Sequence, residues 1–328
     1  MSSRRALIFG AGQIGQAVEA HLHAAGWQVT VHSRSRDGFV RQCASDIKAR
    51  VGSGADLLID TIGYGRADAD VLLTFTKDIG ALVTISSASV YADATGRSLD
   101  EAAVSGFPMF DGAILETQST VSPGDATYST RKVAMEQRLL DVAQCPVTVL
   151  RPCAIHGLAS RHPREWWFVK RLLDGRSTVP LAYGGDRRFH TTAAANIAAL
   201  VGVVAQRRNH GILNIGDDQP PSVAEIGKTL AAQLGCEVDL VQCSGPPRGS
   251  VGRSPWCVPH DYLLSNAAAE AIGYASVGGY PELIAPVVAW LAATASSDEW
   301  KQRFPLLAAY PYDLFDYAAE DAAELARA

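Results

Sequence analysis

Short apolar runs alternate with amphipathic stretches along the first half of the chain. Residues 6–9 predict a first strand and 14–25 a helix, with Gly26 in the helix-stop position. The β-branched run 29–31 predicts a second strand. Residues 57–59 and 82–85 predict two more, with a helix near 67–76 between them; 125–143 reads as helix and 147–150 as a further strand. This is the rhythm of βαβ units wound about a parallel sheet. Beyond Arg151 the pattern loosens, and Pro, Gly and Trp enter the connections. Helices are expected at 165–173, 193–206, 223–234 and 282–293, and the Pro- and Gly-rich span 242–259 reads as loop. The expected architecture is α/β, a doubly wound parallel sheet followed by a smaller, mixed C-terminal region.

Composition narrows the class. The 328 residues are 48% hydrophobic and 19% charged, as in a folded globular chain. A formal charge of −5 leaves no basic footprint for nucleic acid. No window approaches the roughly 18 apolar residues that span a bilayer. The four apolar residues after Arg4-Arg5 are too few for a secretion signal, so a cytoplasmic location and no membrane association are expected. Six scattered cysteines without Cys-x-x-Cys spacing read as reduced thiols. His21 and His23, two apart on a helix, point in different directions, and no metal is expected.

Three segments carry chemistry. Gly10-Ala11-Gly12-Gln13-Ile14-Gly15 follows the first strand and opens the first helix, where glycines permit a tight turn and close approach of backbone to a pyrophosphate. A purely structural turn is the bland alternative. At the end of the second strand a carboxylate would select NAD; instead Ser33 stands there, followed by Arg34. A hydroxyl and a guanidinium suit the 2′-phosphate of NADP, the rival reading being a solvated turn. Asp37 lies too far past the strand by this spacing. Third, Tyr128 and Lys132 are four apart on one helical face, where an ammonium can stabilise a phenolate.

Ile85-Ser86-Ser87-Ala88-Ser89-Val90-Tyr91 ends one strand and Arg151-Pro152-Cys153-Ala154-Ile155-His156-Gly157 another. With the glycine turn and Tyr-x-x-x-Lys, the chain resembles the extended branch of the short-chain dehydrogenase/reductase superfamily, the NAD(P)-dependent epimerase/dehydratase-like group. Later echoes are Arg188-Phe189-His190 leading into Asn196-Ile197-Ala198, and Asn214-Ile215-Gly216. The resemblance covers roughly residues 5 to 240 in the expected order. It implies a Rossmann sheet over residues 1–150, with 188–215 returning to it, and a mainly substrate-binding region with a C-terminal extension over 151–328.

The resemblance also implies roles. Ser87 matches the serine that hydrogen-bonds the reacting oxygen, Tyr128 the general acid/base, and Lys132 the group that lowers the phenol and binds ribose hydroxyls. Gly10, Gly12 and Gly15, with the intervening Gln13 and Ile14, match the pyrophosphate turn. Ser86 and Ser89 read as structural hydroxyls. Hydride transfer between NADP(H), with NAD possible, and a carbonyl or hydroxyl carbon of a small molecule is the implied reaction. An epimerase acting by transient oxidation is the alternative, and a non-catalytic regulatory or RNA-binding relative the reading from another class. A homodimer is a possible assembly.

Several positions depart from the family. Ala88-Ser89 replaces the Asp-Glu pair of the dehydratases, and Ala154 replaces the Asn of the nucleotide-sugar enzymes. His156 stands for the usual Tyr, with no role expected beyond packing, and Asp60-Thr61-Ile62-Gly63 replaces His-x-Ala-Ala. Trp166 and Trp167 are expected in a core or interface. The tail aromatics Trp300, Phe304, Tyr310, Tyr312, Phe315 and Tyr317 are expected to dock as a packed extension or subunit contact.

Overall fold

Ala6, Leu7, Ile8 and Phe9 are all fully buried, which explains why the first apolar run shows no alternation. Ala6 and Ile8 face one side of a sheet and Leu7 and Phe9 the other, and both sides are covered by helices. The computed structural model describes residues 4–294 and 299–325, and the outermost residues of both expected parts lie outside that span.

The chain divides into two units. The first comprises Met1–Ile155, Thr192–Gly216 and Leu264–Val277. Its strands β1 (Arg5–Phe9), β2 (Gln28–His32), β3 (Leu57–Asp60), β4 (Leu82–Ile85) and β5 (Val147–Pro152) join the strand Gly211–Ile215 in one parallel sheet. The order is β2-β1-β3-β4-β5 and then Gly211–Ile215. Strand addition reverses between β1 and β3, and Phe9 is paired there with His32 and Asp60. In such sheets ligands bind beyond the strand carboxyl ends at this reversal.

On one face pack α1 (Gln13–Ala24) and the helix Ala194–Arg207; a Cβ on Gly202 would lie 2.4 Å from His21 Nε2, so glycine there admits the imidazole. On the other face lie α3 (Ala44–Val51), α4 (Arg66–Leu73) and α6 (Tyr128–Val142), which contribute Ile47, Leu72 and Leu139. Short helices α2 (Arg34–Asp37) and α5 (Ala102–Ser105) complete the run. The common doubly wound order carries a strand outside β2. Here β2 is the sheet edge, and α2 and α3 occupy the sequence between β2 and β3. The helix expected at 125–143 begins instead at Tyr128, because the Thr127 hydroxyl accepts from the Thr130 amide and caps it.

The second unit comprises His156–Thr191, Asp217–Leu263 and Gly278–Ala328. Helices Trp166–Leu173, Val223–Leu234 and Ala285–Thr294 pack together, beside a parallel strand pair, Thr178–Leu181 with Asp239–Gln242. That pair was not readable as strands. The helix expected at 282–293 is split into Tyr280–Leu283 and Ala285–Thr294, with Pro286 at the start of the second, where its missing amide does least harm. Trp166 and Trp167 are both buried in this unit. Arg171 stacks 3.7 Å from the Trp167 ring centre and reaches Glu320 of the helix Tyr317–Leu325 at 2.6 Å. The tail aromatics thus pack within their own unit, with Trp300 against Phe315 and Phe304 against Trp166. No helix among the described residues is long and apolar enough to cross a membrane.

Candidate functional site

The glycine turn is tightly specified. Gly10 has φ +108°, and a Cβ there would lie 2.2 Å from Thr61 Oγ1. A Cβ on Gly15 would sit 2.0 Å from the Gly10 carbonyl oxygen. Gly12 differs: nothing lies within 4 Å of where its Cβ would be, so its glycine character is not required by the chain itself. Gly12 caps α1 without a side-chain bond, and the first turn holds no acidic residue. Gln13 Oε1 is buried without a hydrogen-bond partner among the described residues. A helix start with open amides, a bare glycine and an unpaired polar atom suits an anionic ligand. Gly15→Ala forces one backbone into another and is expected to destabilise the chain by about 1–3 kcal/mol or more. A thermal melt equal to wild type would show the turn to be slack.

At the tip of β2, Ser33 is buried and its hydroxyl accepts from the Arg36 amide at 3.1 Å. Arg36 is committed elsewhere, its two terminal nitrogens on both carboxylate oxygens of Glu19 at 2.9 and 2.8 Å. Arg34 is exposed and has no hydrogen-bond or ion-pair partner among the described residues. Asp37 is not beyond reach of the strand end as its spacing suggested. It folds back, accepting from the Ser33 amide at 3.1 Å and contacting His32 Nδ1 at 2.7 Å.

The third cluster joins β4, β3 and α6. The Tyr128 hydroxyl lies close to Ser87, which follows β4. Lys132 lies one turn along, its Nζ 5.7 Å from the Tyr128 ring centre and bonded to the carbonyls of Gly63 at 2.7 Å and Ile85 at 2.9 Å. An ammonium has three donors, which leaves one uncommitted among the described residues. The clusters connect: Gly10 abuts Thr61, the turn after β3 carries Gly63, and Gly63 holds Lys132.

Burial sets both ionisations. It pushes the Tyr128 phenol up to about 12, against the opposing influence of the Ser87 side chain. It pushes Lys132 down to about 8, against the nearby charges of Asp60, Glu136 and Asp68. The phenol therefore departs upward, where the resemblance implied a lowering, because desolvation is the largest influence on it and the nearby Asp100 and Glu136 add to it.

The remaining motif residues form a buried frame. Arg151 binds the Glu136 carboxylate and lies over the Tyr91 ring, while the Tyr91 hydroxyl donates to Asn214 at 2.6 Å. Ser89 receives the Ser129 hydroxyl at 2.9 Å, whereas the Ser86 hydroxyl is buried without a partner among the described residues. Tyr64, to which sequence reasoning gave no role, packs against Tyr128 with ring centres 5.3 Å apart and ring planes tilted by 58°. In the second unit His156 does more than pack. Burial, which lowers its pKa, is outweighed by Asp217 at 2.7 Å. Its position at the family's Tyr was the only signal.

The architecture is that of the NAD-binding epimerases and dehydratases. No protein-family model and no curated protein matches the chain. Solved structures share the fold. UDP-glucose 4-epimerase of Thermus thermophilus, in complex with NAD, is 16% identical with a TM-score of 0.65, covering 88% of this chain and 98% of its own. The Bordetella bronchiseptica enzyme WbmG, in complex with NAD and UDP, is 17% identical with a TM-score of 0.68, covering 90% and 96%. A dTDP-4-dehydrorhamnose reductase of Clostridium acetobutylicum is 15% identical with a TM-score of 0.64, covering 88% and 99%.

Proposed function

We propose that this chain is an oxidoreductase of the extended short-chain dehydrogenase type that uses NADP(H), with NAD(H) as the lesser cofactor, on a carbonyl or hydroxyl carbon of a small molecule. The observation that carries the reading is the juxtaposition of Ser87 and Tyr128 with Lys132 one turn away, continuous through Gly63 and Thr61 with the glycine turn. The residues suit the dinucleotide: Gly12 is open, Gln13 Oε1 lacks a partner among the described residues, and Arg34 is uncommitted.

Bound there, the cofactor supplies the hydride. Gly10, Gly12, Gln13, Ile14 and Gly15 hold its pyrophosphate, Ser33 and Arg34 its 2′-phosphate, and Lys132 its ribose hydroxyls. Ser87 orients the reacting oxygen, and Tyr128 moves a proton to or from it. A phenol held near 12 is protonated at neutral pH, the donor form that carbonyl reduction requires. Ala88, Ser89 and Ala154 stand where dehydratases and nucleotide-sugar enzymes carry their diagnostic side chains, which favours a simpler carbonyl substrate. The second unit is the natural place for substrate selection, and a cytoplasmic enzyme, a homodimer included, fits the composition.

Epimerisation by transient oxidation remains the second reading, favoured by the epimerases among the structural neighbours. Absorbance of the reduced nicotinamide separates the two. A carbonyl panel with NADPH shows steady loss if reduction is the reaction, and no net change with isomerised substrate if epimerisation is. Binding without either outcome would return the chain to the non-catalytic class. Lys132→Met is expected to weaken cofactor binding and slow turnover together, since one ammonium serves both; an effect on neither would confine Lys132 to a structural role on the Gly63 and Ile85 carbonyls.

A further inference from the structure

A line of contacts runs from the end of β3 to Lys132, and none of the roles above uses it. Asp60 is fully buried with both oxygens engaged. Oδ2 receives Arg41 Nε at 3.0 Å and Nη2 at 2.5 Å, and Oδ1 accepts the amides of Ile62 at 3.2 Å and Gly63 at 3.0 Å. Arg41 is buried too. The turn held in this way presents the Gly63 carbonyl to Lys132 Nζ. Only glycine fits at 63, since a Cβ would lie 2.7 Å from Asp60 Oδ2 and 3.0 Å from Met135 Sδ. This is where the chain departs from His-x-Ala-Ala, and the departure installs a carboxylate.

Building on the oxidoreductase reading, we infer that Asp60 is a positioning residue for Lys132: its carboxylate fixes the carbonyl that anchors the ammonium and favours the charged form, while Arg41 sets how much of that negative charge the ammonium feels. The other charged groups facing Lys132 are Glu136 and Asp68, with the Tyr128 ring beside it. Glu136 is neutralised by Arg151. Asp68 accepts the amides of Tyr64 and Gly65 and the side chain of Gln42. Asp60 and Asp68 both hold the turn on which Lys132 is anchored, Asp68 through the Tyr64 amide and Asp60 through the amides of Ile62 and Gly63, and of the two only Asp60 is paired with an arginine among the described residues. Burial pulls Lys132 down to about 8, so the balance of these charges decides whether it is an ammonium at working pH.

The sign of the test follows. The ammonium is lost as pH rises through its pKa, so activity that depends on it falls on the alkaline side. Asp60→Asn keeps an oxygen for the turn amides and removes the charge. It should move the alkaline limb of NADPH-dependent reduction to lower pH by about one unit or more. Arg41→Gln removes the compensating cation and should move the limb upward. Structural damage alone would lower the rate at every pH and leave the limb in place.

Asp60→Asn leaves Arg41 buried and unpaired, so the Arg41→Gln, Asp60→Asn double variant is the fallback, with its limb still below wild type. Competitive acetylation of Lys132 from neutral to alkaline pH, read by mass spectrometry, follows the same titration without turnover. Loss of all reductase activity in wild type would overturn the oxidoreductase reading, and the labelling would still judge Asp60. A Lys132 titration unmoved in both single variants overturns the inference.

Discussion

Tyr128→Phe is expected to lower turnover by about 10²-fold or more while NADP(H) affinity stays within a few-fold, since positioned general acid catalysis supplies about 10² to 10⁴. The substitution removes one hydroxyl from a side chain whose ring is held independently. The ring packs at a tilt against Tyr64 and lies beside Lys132, and α6 is capped by Thr127 rather than by Tyr128. The helix should therefore keep its start, and Lys132 its two carbonyls. What is lost is the proton donor beside Ser87. Paired measurement of turnover and dinucleotide dissociation, with circular dichroism to confirm the fold, separates the two effects. Wild-type turnover in the variant would remove Tyr128 from the acid/base role. A loss confined to cofactor affinity would recast it as a binding residue. The phenol, raised to about 12 by burial, is protonated across neutral and mildly alkaline pH. An alkaline limb near pH 8 in the reductive direction would thus be assigned to Lys132, not to Tyr128.

The sheet was readable because its strands are buried on both faces, so 6–9 and 57–59 stand out as unbroken apolar runs and 82–85 as one interrupted only by Thr84. The glycine turn was readable because Gly10 has a positive φ and a Cβ at Gly15 would meet the Gly10 carbonyl five residues back, a local constraint that leaves a local signature. Pairings between distant residues leave none. Arg41 meets Asp60 across 19 positions, Arg36 meets Glu19 across 17, and His156 meets Asp217 across 61. No periodicity marks such partners, and each looks like an ordinary surface charge until the fold brings them together. The edge position of β2 was hidden for a related reason. Residues 34–51 carry no signal that distinguishes a missing outer strand from one with weak propensity, and only the pairing of β1 with β3 reveals it. The direction of the Tyr128 ionisation was out of reach as well. Motif spacing names a neighbouring lysine, but burial is a property of the whole unit and here it is the larger influence.

Arg34→Ala is expected to weaken NADP(H) binding by roughly 10- to 150-fold and leave NAD(H) nearly unchanged. A charge-assisted hydrogen bond to a 2′-phosphate is worth about 1.5–3 kcal/mol, and about 1.4 kcal/mol is tenfold. NAD(H) offers the guanidinium only a neutral hydroxyl. The structure sharpens the choice of arginine: Arg36 is held by Glu19 through both terminal nitrogens, whereas Arg34 is exposed and uncommitted among the described residues. Ser33→Asp is the complementary change. Aspartate preserves the cap of α2, where the Ser33 hydroxyl now accepts the Arg36 amide, so the helix start should survive. The added carboxylate repels a 2′-phosphate and accepts from a 2′-hydroxyl, shifting preference toward NAD(H). The rival is Asp37. Its carboxylate already folds back to the Ser33 amide and stays partly exposed, within reach of the strand end that an NAD site uses. If Asp37 reads the ribose, wild type should prefer NAD(H), Asp37→Asn should weaken NAD(H), and Arg34→Ala should change little. Dissociation constants of both dinucleotides for wild type and the three variants decide between them, and equal weakening of both by Arg34→Ala would remove the arginine from cofactor selection altogether.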